Sequence, residues 1–268
     1  MRQSSWVDFK KVMLINSEIE IKDCITLLGM KVEKIKESSS KTPDFLVKCE
    51  KYKYLVELKE KFTNKEFLKI REQMLLDGDI FEENYPAGRK KIISGVIRAA
   101  CKQFTSSEIT ADFNIVWLHA KGHNPDFQIY DFESTLYGYE VIVEWGKQNG
   151  FSGFCYHFGH SDFYNHRNVL DGAVVSTTNE MKFCINACSP KYHLLKESGF
   201  RKAFEDGVLD PIDLEEEGQA LIVNSDVNRN DENAVMEYVI KKYKLQKAMK
   251  MPMQQISATV ALPNKYKI

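Results

Sequence analysis

The sequence predicts an α/β fold built on a central mixed β-sheet flanked by α-helices. Two observations carry that prediction. Short runs rich in aromatic and β-branched residues, at Lys53–Lys59, Phe113–Leu118 and Gly172–Ser176, read as strands. Between them, apolar residues recur at helical spacing, first at Ile21, Cys24, Ile25 and Leu28, then at Ile92, Ile93, Val96, Ile97, Ala100 and Phe104.

Taken in order, the first helix ends at Gly29, a good C-terminal stop. Glu18 lies three residues before Ile21 and seven before Ile25, which places it on the apolar stripe. Glu20 is about 160° further round, and Glu18 is the preferred inward acid. Phe45–Val47 and Lys53–Lys59 read as a two-stranded hairpin. Side chains alternate along a strand, so Tyr54, Val56 and Leu58 share a core face while Glu57 and Lys59 face a cleft. With Glu50 and Lys51 as the central turn residues, Asp44 stands directly opposite Glu57, their Cβ atoms roughly 5 Å apart. Glu-Lys is not a favoured pair for such a turn, which usually takes Gly or Asn. Carboxylates that close repel unless a cation lies between them, and a hard divalent ion suits oxygen ligands. The plainer alternative is a solvated hairpin surface.

Glu60 to Tyr85 reads as a long charged connection with a helical stretch at Lys65–Leu76, broken by Asp77-Gly78-Asp79. Gly88–Phe104 is a clear helix, with Lys91, Ser94, Arg98 and Lys102 on the face opposite its apolar stripe. Val141–Val143 reads as a strand or part of a helix. Phe151–Phe158, Gly172–Ser176 and Lys182–Asn186 read as later strands.

Glu18, Pro43-Asp44 and Glu57-Leu58-Lys59 resemble the PD-(D/E)xK nuclease superfamily, the restriction-endonuclease-like fold. The order agrees as well: helix with Glu, Gly turn, strand with Pro-Asp, strand with Glu-x-Lys. The likeness covers about the first sixty residues and extends loosely to the helix near residue 100. It implies a restriction-endonuclease-like core over residues 9–120 of a single domain spanning 1–268, with residues 121–268 as a C-terminal elaboration. It also implies Mg²⁺, for which Mn²⁺ would substitute, held by Asp44 and Glu57 with Glu18 as an auxiliary ligand. Lys59 would orient the attacking water and stabilise charge on the phosphate. By the same likeness, Arg98, Lys102 and Gln103 on the following helix are candidate nucleic-acid contacts. The expected function is hydrolysis of phosphodiester bonds, most simply as a DNA endonuclease of restriction, repair or phage-defence type, with RNA left open. The alternative is an inactive nuclease-fold module that binds nucleic acid or a protein. Double-strand cleavage by a chain with one site would suit a homodimer.

Composition bounds these readings. At 43% hydrophobic the chain can build a sizeable core. No apolar run reaches the length of a membrane span, and the N-terminus lacks a signal-peptide segment, so a cytoplasmic protein without a membrane partner is expected. Six cysteines without C-x-x-C spacing read as reduced. A net charge of −1 implies that any nucleic-acid affinity is local rather than global. Lys241, Lys242, Lys244, Lys247, Lys250, Lys265 and Lys267 form a candidate basic tail, the first five also fitting a solvated amphipathic helix. His157, His160, Asp162 and His166 have spacing that zinc could use. The interleaved aromatics and the lack of H-E-x-x-H favour a polar loop around Gly159 instead. No phosphate-binding loop is present, so a nucleotide-driven motor would come from a separate partner subunit.

Overall fold

The computed structural model of the protein describes residues 17–36, 42–62, 65–86, 88–121, 124–252 and 255–260. Among these, α1 (Ser17–Leu27), β1 (Lys31–Lys34), β2 (Phe45–Cys49), β3 (Tyr52–Phe62), α2 (Lys65–Leu76), β4 (Phe81–Pro86), α3 (Lys91–Ser106) and β5 (Phe113–Lys121) form the first half. Then follow α4 (Pro125–Tyr137), β6 (Glu140–Glu144), β7 (Ser152–Tyr156), α5 (Asp162–Asn165), β8 (Gly172–Ser176) and β9 (Met181–Ile185). The remainder is α6 (Tyr192–Lys196), α7 (Gly199–Lys202), β10 (Val208–Leu209), α8 (Pro211–Glu216), β11 (Leu221–Ile222), α9 (Glu232–Tyr243), β12 (Ala248–Met251) and β13 (Gln255–Val260).

The main sheet has seven strands in the order β1-β2-β3-β5-β8-β9-β10. It is mixed. β2 runs antiparallel to both of its neighbours, β1 and β3, while β3, β5 and β8 run parallel. β9 then reverses, and β10 pairs with it in parallel. Both faces are covered, as a sheet with a parallel centre requires. On one side Val56, Leu58, Ile115 and Trp117 pack against Ile21 and Ile25 of α1 and Leu195 and Phe200 of α6 and α7. On the other, Leu55, Val116 and Leu118 meet Ile93 and Ile97 of α3 and Phe132 and Leu136 of α4. A four-stranded sheet, β11-β7-β6-β12, packs Ile142, Cys155 and Leu221 on Val235 and Val239 of α9.

Several expectations are met in detail. α1 ends in a Schellman motif: Met30 N–H donates to Ile25 C=O and Gly29 N–H to Thr26 C=O, with Gly29 at φ 82°. The hairpin turns at Glu50-Lys51, and the ladder runs from Cys49↔Tyr52 to Phe45↔Val56. Its next step places Asp44 across from Glu57. The unfavoured turn is accommodated by Glu50 itself, which adopts φ 52°. All six cysteines are free.

Other expectations are corrected. Ile92 is 82% exposed and not part of the α3 stripe; Cys101 takes that role. Ser94, expected on a solvated face, is buried because α4 and α5 pack on that flank of α3. The connection after β3 contains β4, which pairs with β13. The lysine tail is not one helix. α9 stops at Tyr243, Lys244 caps it at φ 54°, and Lys250 falls in β12. Lys242 and Lys250 are ion-paired with Glu215 and Glu232, and Lys265 and Lys267 lie outside the described residues. No helix among the described residues is long and apolar enough to cross a membrane.

Candidate active site

The carboxylates of Asp44 and Glu57 project from adjacent antiparallel strands toward α3. Asp44 immediately precedes β2 and follows Pro43, which disfavours helix at the residue before it and steers the chain into the strand. One Asp44 oxygen accepts the backbone N–H of Leu58 at 2.7 Å. Glu57 is in the middle of β3 with its side chain only 1% exposed, so the expected cleft is closed at this point. Its Oε1 accepts from the Lys59 ammonium. No donor reaches its buried Oε2. The neighbour that Glu57 does meet is the Asp44 carboxyl, within hydrogen-bonding reach. Two carboxylates in that position need a proton or a cation between them.

Electrostatics express the same conflict. Burial pushes Glu57 up to about 7, and the negative charge of Asp44 adds to it, against the opposing pull of Lys59. Asp44 is also raised, first by burial, with the Leu58 amide and the neighbouring Glu57 and Lys59 pulling the other way.

Lys59 remains 27% exposed and reaches a second acceptor, Gln103 Oε1, at 3.3 Å. The Gln103 amide donates in turn to Thr42 C=O at 3.1 Å. Gln103 therefore ties α3 to the lysine and to the segment that carries Pro43-Asp44. Of the three α3 candidates it alone is brought to the hairpin. Lys102 is exposed, one residue round the helix, and Arg98 lies beside His166. Glu18 is close enough for its charge to act on Asp44, but it is 35% exposed and contacts Lys34.

Glu20 is the more buried acid of α1, at 10%. It belongs to a separate cluster on the opposite sheet face, 3.2 Å from Lys121 and 3.8 Å from the buried His119. His119 Nδ1 shares Ser176 Oγ with Trp117 Nε1. Sequence spacing gave no sign of this cluster, because its members come from α1, β5 and β8.

The histidine group does not assemble. His157 is fully buried against Ser161, and its pKa is pushed down to about 3 by burial and Arg229. His160 is exposed, and Asp162 turns to Ser94 and Arg89. Among the described residues no group of three or more His, Cys, Asp or Glu side chains is arranged to hold a metal ion. The Asp44–Glu57 pair fits a divalent ion in another way. Its orphaned oxygen is a hard donor, and Mg²⁺ is commonly held by one or two carboxylates with water and substrate phosphate completing the shell.

Sequence reasoning also missed Asp131 on α4. Lys61 Nζ donates to its Oδ2 at 2.8 Å, and Lys90 Nζ lies 3.5 Å from its Oδ1. A signal was present: Pro125 at a helix start, then Ile129, Phe132 and Leu136 at helical spacing.

The comparisons with known proteins return no match. No family model, curated protein or solved structure matches the chain.

Proposed function

We propose that the chain is a metal-dependent nuclease that hydrolyses phosphodiester bonds, with DNA as its substrate. The observation that carries this reading is the half-buried Asp44 carboxyl facing the buried Glu57 carboxyl, with Lys59 beside them and one Glu57 oxygen left without a donor. Such an arrangement costs stability, because burying an unsatisfied acid is unfavourable, and groups held at that cost cluster at functional sites. The α1–hairpin–α3 context further supports the restriction-endonuclease-like core that the motif order implies.

Asp44 and Glu57 would hold Mg²⁺, or Mn²⁺ in its place, with Glu18 as an outer contributor. When bound, the ion would supply Lewis acidity at the phosphoryl oxygen and a lowered pKa for the attacking water. Leu58 N–H fixes the orientation of the Asp44 carboxyl. Lys59 leaves Glu57 for the phosphate as charge develops, and its ammonium stabilises that charge in a partly dry site. Gln103 limits the positions that Lys59 can take, by holding it from the α3 side. Lys59 is thus placed to act on the phosphate and Gln103 is a positioning residue.

The test is incubation of the purified chain with linear and circular DNA in Mg²⁺, Mn²⁺ or EDTA. Cleavage is expected with either ion and not in EDTA. Asp44→Ala and Lys59→Ala should each lower the rate by about a hundredfold or more. Undiminished cleavage by Asp44→Ala would sink the assignment.

A further inference from the structure

Alternation along β3 puts Glu57, Lys59 and Lys61 on one face in a row, with about 7 Å between successive side chains. The row continues past the carboxylates into a basic segment with an unusual support. Asp131 is buried, yet it faces two ammonium groups, Lys61 and Lys90, whose side chains stay 28% and 23% exposed. One buried acid therefore holds two cations at the surface, and the trio keeps a net positive charge. Asp131 Oδ1 makes no hydrogen bond, so the arrangement does not saturate the acid. It presents the lysines.

The residue before Asp131 is Tyr130, and it helps to line a cavity of about 240 Å³ with Tyr139, Phe154, Arg89, Lys250 and one acid, Glu140; Lys250 is also ion-paired with Glu232. The aromatic walls are fixed. Tyr139 lies 4.5 Å from Phe154 and 5.8 Å from Tyr130 between ring centroids. Arg89 is held by Ser94 at 2.6 Å and by Asp162. The volume is below the range of about 300–1,000 Å³ that accommodates drug-sized ligands, and it suits one planar heteroaromatic group. Basic residues interleaved with aromatic ones make a track for an unpaired strand, in which phosphates meet lysines and bases meet rings. A paired base in a duplex has no free face to offer.

We propose that this cavity takes one unpaired nucleobase of the substrate strand, with Lys61 and Lys90 on the phosphates between it and the Asp44–Glu57 site. The inference rests on the nuclease reading and narrows its substrate to strands with an unpaired segment. The full chain carrying Asp44→Ala, in EDTA, would be titrated into a fluorescent single strand, a blunt duplex and a duplex with a single-stranded overhang. Binding to the first and third should be at least about tenfold tighter than to the second. Tyr130→Leu with Phe154→Leu should remove about tenfold of single-strand affinity at an unchanged salt slope. Lys61→Gln and Lys90→Gln should each reduce the slope of log affinity against log salt by about 0.7. A 2-aminopurine probe walked along the strand should be quenched at one position in the Asp44→Ala chain, a readout that does not depend on the aromatic variants folding. Equal binding of duplex and single strand, or no position-specific quenching, overturns the proposal; a cavity reserved for a protein side chain would give both. The two readings fail separately. Cleavage without single-strand preference removes only this inference, and aromatic-dependent strand binding without cleavage in the unsubstituted chain removes only the catalytic one.

Discussion

Burial holds the Glu57 carboxyl near neutrality, and this couples proton binding to folding. Between its ordinary value of 4.5 and about 7, the folded chain keeps a proton that the unfolded chain releases. Stability from this group is therefore undiminished below about pH 4.5, falls as pH rises through that window, and levels off above it. In EDTA, Glu57→Gln should raise the melting temperature by several degrees at pH 8 and leave it unchanged near pH 4. For the unsubstituted chain, Mg²⁺ should raise the melting temperature at pH 8, and the gain should shrink as pH falls below 7, because protons compete for the same oxygens. Calorimetry across pH with and without metal measures both effects. A metal-induced rise that is insensitive to pH would place the ion elsewhere.

The hairpin was legible as an element because two local signals agreed. Its alternation separated Tyr54, Val56 and Leu58 from Glu57 and Lys59, and the turn length set the register. The assumption of a cleft beside Glu57 did not hold, since Leu55 on the same face is itself core. α3 was legible as a helix but not in its rotation. Ile92 is apolar and exposed, and Ser94 is polar and buried, because α4 and α5 decide which flank is covered. Gln103 acts at this scale, joining α3 to the start of β2. Gln103→Ala should lower cleavage by about tenfold with little change in melting temperature, and Gln103→Glu, which keeps an acceptor for Lys59, should recover part of it. Loss of activity that tracks loss of folding would deny it a positioning role. Gly138 caps α4 at φ 56°, and a Cβ there would meet His160 C=O at 2.5 Å. Gly138→Ala should cost at least about 1–3 kcal/mol in denaturant unfolding, and it should do so without touching the hairpin.

At the scale of the whole molecule, the sequence announced a mixed sheet between helices but not how its distant parts close. β4 pairs with β13 across most of the chain, and no local pattern in the charged stretch after β3 marks a partner so far away. The Glu20–His119–Lys121 and Lys61–Lys90–Asp131 clusters were unreadable for the same reason, since each gathers residues from separate elements. With 37 basic and 38 acidic residues, the chain has no global attraction for nucleic acid. Affinity for blunt duplex should therefore stay weak at physiological salt, and any tight binding should map to Lys61, Lys90 and the aromatic cavity beside them.

The order of strands across the main sheet, β1-β2-β3-β5-β8-β9-β10, rises in step with the order along the chain. A ribosome releases the chain in that same order, so each strand can dock on the growing edge as it emerges, and none has to be inserted between two already in place. The carboxylate hairpin would form among the first strands released, while Asp131 and the aromatic cavity await later synthesis. β13 comes last and must find β4, made long before it. A nascent chain would then hold Asp44, Glu57 and Lys59 together before the residues that line the aromatic cavity have been made.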